Sequence, residues 1–115
     1  GMVAMMRKIQ LKLFDGRRNQ NYWFHFCYIP MDIWEQYQSK YKVNNMDVQI
    51  KEWIKQDFGL DVTHMMDLDK AKDYIKKKYA EAYPQVFLQA DSDRQGWTRV
   101  WLTEKIKTLL EENNG

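Results

Sequence analysis

The sequence predicts an α+β fold: an antiparallel sheet built from two hairpins and packed on one face by three to four helices, in the order β-β-α-α-α-β-β-α. Three observations lead there. Lys8 to Phe14 alternates apolar and polar residues with the period of a half-buried strand. Three stretches between Met31 and Tyr83 repeat apolar residues at helical spacing. Asp91 to Gly96, dense in turn formers, separates two further short apolar segments.

In the first strand Ile9, Leu11 and Leu13 share one face, while Lys8, Gln10 and Lys12 share the other. Asp15-Gly16 opens a polar loop that runs to Asn21. The next strand, Tyr22 to Ile29, is apolar on both sides. Regular alternation groups Tyr22, Phe24, Phe26 and Tyr28 on one face and Trp23, His25, Cys27 and Ile29 on the other. Pairing the strands sets the first group over the helices with Ile9, Leu11 and Leu13. The second group is then left outside, beside Lys8, Gln10 and Lys12. Such a face is too apolar to stay bare, so it is a candidate contact surface.

Pro30 stops the strand and suits the first turn of a helix from about Met31 to Lys40, on which Ile33, Trp34, Tyr37 and Tyr41 fall in step. A second helix starts at Asn45 or Asp47 as cap, carries Met46, Ile50, Trp53, Ile54 and Phe58 as one stripe, and ends at Gly59. A third runs from about Leu68 to Tyr83, capped by Asp67 and closed by Pro84. Its inward residues are Leu68, Ala71, Ile75, Tyr79 and Ala82. Val86 to Ala90 and Trp97 to Leu102 read as the second hairpin, with a helix from Trp97 onward as the alternative, and Thr103 begins a last helix. The expected core is Ile9, Leu11, Leu13, Phe24, Phe26, Ile50, Trp53, Ile54, Ile75, Tyr79, Val100, Ile106 and Leu109.

Residues 2–115 fit one globular domain, rich in large rings: aromatics make up 15% of the chain. Eighteen basic against sixteen acidic side chains give a net charge of +2, too small by itself to imply nucleic acid. The single cysteine, Cys27, excludes an internal disulfide and a secreted disulfide scaffold. Met2 to Met6 is too short for a signal peptide's apolar core, and no run approaches the ~20 apolar residues that span a bilayer. A cytoplasmic protein without a membrane partner is expected.

No catalytic motif and no cofactor signature stands in the chain. His25 and Cys27, two apart on a strand, share a face in the regular alternation, yet a structural zinc site needs four ligands and the chain offers only His64 besides. As nucleophile and base the same pair lacks an orienting group and an oxyanion site. Asp91 to Gly96 begins like a calcium loop, but its twelfth position is Leu102 where a bidentate Glu is needed. Asp61, Asp67, Asp69 and Asp73 fit caps and a solvated helix face.

Two functional readings follow, neither enzymatic. The first is an interaction or self-associating domain, a homodimer or a complex with an unidentified protein, that uses the face of Trp23, His25, Cys27 and Ile29. The second is nucleic-acid binding, in which bases stack on Trp23 and phosphates meet Lys8, Lys12, Arg17 and Arg18. A variant of the second makes the second and third helices a helix-turn-helix, with Lys70, Lys76 and Lys77 toward DNA and the later hairpin as a wing. Against that variant, the nine residues from Gly59 to Asp67 exceed the usual turn.

Overall fold

The computed structural model describes residues 5–15, 18–63, 68–84 and 96–112. Among them it is a compact α+β arrangement: strands β1 (Met6–Asp15) and β2 (Gln20–Pro30), then helices α1 (Met31–Tyr41), α2 (Asp47–Phe58), α3 (Leu68–Ala82) and α4 (Gly96–Glu112). The strands pair antiparallel from Asp15 opposite Gln20 to Met6 opposite Pro30. The Met31 amide then donates to the Met5 carbonyl at 3.0 Å, which carries the pairing to the first residue of α1.

One irregularity governs the sheet. Gln10 stands opposite His25 and Ile9 opposite Cys27, so Phe26 is an extra residue on β2, a β-bulge. The bulge shifts the phase of the alternation. Before it, Trp23 and His25 point away from the core. After it, Cys27 and Ile29 point inward, both with no exposed surface, and Phe26 is buried with them. The regular alternation is therefore corrected at two places: Cys27 and Ile29 leave the outer face for the core, and Tyr28 moves from the expected inner face to the outer one.

The core lies between the hairpin's inner face and the helices. Ile9, Leu11 and Leu13 meet Ile29, Phe26 and the buried stripes of α1, α2 and α4. α2 carries Ile50, Trp53, Ile54 and Phe58 inward as its spacing predicts. Its cap position is Met46, without a side-chain hydrogen bond, instead of Asn45 or Asp47. Asp47 supplies first-turn negative charge and pairs with Lys51 at 3.7 Å. The helix ends at Gly59 (φ 69°), whose amide donates to the Lys55 carbonyl at 2.9 Å. α3 buries Ala71, Ile75 and Tyr79, while Ala82 at its end is exposed.

The later segment of the second hairpin takes its helical alternative. Trp97 to Leu102 belongs to α4, and its proposed partner, Val86 to Ala90, lies outside the described residues, as do the turn residues 91–95. The physical reason is visible in the side chains. A strand would set Arg99 on one face with Trp97 and Trp101. A helix instead stacks Trp97 with Trp101, and Leu102 with Ile106 and Leu110, at steps of four, and all five are buried. Trp101 becomes a central pillar: its ring lies 5.4 Å from Phe58 and 6.2 Å from Phe26, and its Nε1 donates to the Asp57 carboxylate at 2.8 Å. Of the expected core, Phe24, Val100 and Leu109 are only half-buried. No helix among the described residues is long and apolar enough to cross a membrane.

Candidate functional site

The side of the hairpin turned away from the core is a short ladder of cross-strand pairs. Lys8 stands opposite Tyr28, Gln10 opposite His25 and Lys12 opposite Trp23. Directly opposed side chains in an antiparallel pair lie close enough to touch. Each ring on β2 thus faces a cation or an amide on β1, and the strand positions of this face hold no carboxylate. Trp23 is 47% exposed and Tyr28 38%, so both rings are offered to solvent. His25 and Tyr28 meet edge to face, ring centroids 4.8 Å apart.

Both edges of the hairpin are engaged by basic side chains from the helices. Lys51 Nζ of α2 donates to the backbone carbonyl of Lys12, and Arg99 Nε of α4 donates to that of Tyr28 at 3.0 Å. A side chain bonded to an edge carbonyl occupies the position an added strand would use. Along β1, beside the ladder, Arg7 lies over the buried Trp34 ring, 5.0 Å from its centroid. There a recess of about 170 Å³ opens between β1, Trp34 and the α1–α2 connection, lined also by Trp23, Gln10, Asn44 and Asn45.

The predicted site residues fare unequally. Trp23, His25, Lys8 and Lys12 come together on the outer face. Cys27 and Ile29 do not join them, because the bulge turns both into the core. For the same reason His25 and Cys27 lie on opposite sides of the sheet and do not form a ligand pair. Arg18 sits at the turn, where its Nε lies 3.6 Å from Asp15, and Arg17 lies outside the described residues. The wing of the helix-turn-helix variant is lost with the second hairpin.

Among the acidic residues, Asp61 accepts from the Thr63 amide at 2.9 Å, a local turn, and Asp67 lies outside the described residues. Leu102, the twelfth position of the calcium-like run, is buried in α4. Among the described residues, no three His, Cys, Asp or Glu side chains gather as a metal site. Tyr28, Arg7, Trp34 and the two asparagines are additions the sequence did not single out. Asn45 carried only a capping signal, and Tyr28 reaches this face only through the bulge.

No family model, no curated protein and no solved structure matches this chain.

Proposed function

We propose that the chain binds single-stranded nucleic acid on the outer face of its hairpin. The observation that carries this reading is the ladder itself: two half-exposed rings, each opposite a lysine, on a face whose strand positions hold no carboxylate. Unpaired bases stack on aromatic side chains for about 1–3 kcal/mol each, whatever their identity, and lysines beside the rings meet the phosphates between them. Duplex bases are already stacked, so rings on a flat ribbon favour single strands.

The protein-partner reading uses the same rings but loses two of its four residues to the core. Two strands ~5 Å apart and five residues long at ~3.4 Å each present a strip on the order of 200 Å² in plan. A stable protein interface takes about 800 Å² from each partner. With both edges engaged by Lys51 and Arg99, pairing with a second copy through the sheet is also disfavoured. A short strip of rings and cations suits a few nucleotides better than a protein.

The test is fluorescence anisotropy with labelled single-stranded DNA, single-stranded RNA and duplex DNA over a range of salt. Each phosphate met on a single strand contributes about −0.7 to the log–log salt slope, so Lys8 and Lys12 together give about −1.4. Lys12→Ala should flatten the slope by about 0.7, and Trp23→Ala should weaken single-strand binding about 5- to 150-fold. Comparison of the DNA and RNA single strands decides whether the sugar is read. Absence of binding at the lowest salt, or duplex binding indifferent to Trp23→Ala, contradicts the proposal.

A further inference from the structure

We infer that the recess beside this ladder is a base-selective subsite that accepts one adenine from the bound strand. The inference rests on the single-strand reading and adds to it a preference that stacking alone does not give. Three kinds of group converge on the recess. Trp23 supplies an exposed ring on which a base can stack. Gln10, Asn44 and Asn45 supply side-chain amides, each with a donor and an acceptor. Arg7, held at one place by its seat over Trp34, and Lys8 supply the cations.

The size and chemistry narrow the occupant. A volume of about 170 Å³ falls below the roughly 300–1,000 Å³ of pockets that enclose a whole drug-sized ligand. It suits a single base whose sugar and phosphate stay outside, beside Arg7. Among the described residues no carboxylate lines the recess, so the amino group of a cytosine lacks the acceptor that best suits it. Asn and Gln amides match the adenine edge, donating to its N7 and accepting from its N6 amino group, and such a bidentate contact discriminates by about 5- to 150-fold. Three amides around one recess match the adenine edge, and Arg7 and Lys8 are left for the phosphate outside.

The experiment compares a twelve-nucleotide oligothymidylate with the same oligomer carrying one central adenine, cytosine or guanine, by competition against a labelled oligothymidylate at one salt concentration. The adenine-bearing strand should bind at least about fivefold more tightly than the others. Asn44→Ala and Asn45→Ala should each shrink that preference and leave both the affinity for plain oligothymidylate and its salt slope unchanged. Asn44 and Asn45 are exposed loop residues, so their variants should fold; circular dichroism checks this. If plain oligothymidylate binds but all four strands bind alike, the subsite is overturned and the stacking face stands. A preference for a different base, or an adenine preference that survives both variants, also overturns the subsite. No binding of plain oligothymidylate overturns the stacking face, and the subsite with it.

Discussion

The rings of His25 and Tyr28 pack edge to face at 4.8 Å, although they stand three positions apart on one strand. In regular β structure residues i and i+3 point to opposite faces. The bulge at Phe26 brings the two to one side, and the same step turns Cys27 and Ile29 into the core. One extra residue thus makes β2 both a core strand and a polar platform.

Phe26 and Trp23 should therefore separate stability from binding. Phe26→Ala empties a buried site against Trp101 and should cost ~3–5 kcal/mol in chemical denaturation. Trp23→Ala, at a half-exposed ring, should shift stability by less than about 1 kcal/mol while weakening oligonucleotide binding. A reversal of those two effects would place Trp23 in the core and contradict the assignment of faces.

Asp57 should matter more than an ordinary surface acid. It accepts from Trp101 Nε1 at 2.8 Å and lies 3.2 Å from Lys105 Nζ. Asp57→Ala strands a buried indole N–H and should cost about 1–3 kcal/mol. Lys107→Ala, which breaks an exposed pair with Glu104, should cost less than about 0.5 kcal/mol. Equal effects in urea titrations of the two variants would remove the anchoring role of Asp57.

Gly59 closes α2 in the left-handed region at φ 69°, and a Cβ placed there meets nothing within 4 Å. The cost of Gly59→Ala should therefore come from the backbone alone, about 1–2 kcal/mol, with Gly59→Asn costing less. Thermal melts of the two variants check the order, and an alanine as stable as glycine would mean the helix end rearranges.

Tyr79 links stability to alkaline pH. Burial, reinforced by Tyr83 and Glu104, pushes its hydroxyl up to about 12 from an ordinary value near 10. Above pH ~10 the unfolded chain releases this proton while the folded chain keeps it, so stability falls as pH rises toward about 12. Below pH ~10 the contribution is fully present. Burial, with Tyr41, raises Tyr37 in the same direction. Tyr79→Phe should make the stability profile above pH 10 shallower, and an unchanged slope would show that Tyr79 ionises as freely folded as unfolded.

Much of the fold is legible in residue spacing, and the exceptions have physical causes. Ile9, Leu11 and Leu13 alternate with lysines and glutamine, so β1 and its buried face follow directly. Ile50, Trp53, Ile54 and Phe58 repeat as a helix must. The bulge leaves no such mark, because every residue from Tyr22 to Ile29 is apolar or aromatic apart from His25, and a phase shift within a uniformly apolar run changes no pattern. Trp97 to Leu102 misleads for a different reason: rings and Val100 favour strands locally, while the four-residue steps from Trp97 to Trp101 and from Leu102 to Leu110 become decisive only when a core receives them. The candidate site inherits the first difficulty. Its lysines and Trp23 are visible in the sequence, whereas Tyr28 joins them only through the bulge.

The account stands most directly on where a single strand touches the molecule, and heteronuclear NMR with added oligothymidylate reads that residue by residue. The amide and indole signals of Lys8, Gln10, Lys12, Trp23, His25 and Tyr28 should move together and saturate with one affinity. Signals from the exposed α3 lysines Lys70, Lys76 and Lys77 should stay in place. Shifts gathered on α3, or none on the hairpin at saturating oligonucleotide, would contradict the claim that this ladder of rings and cations is the binding face.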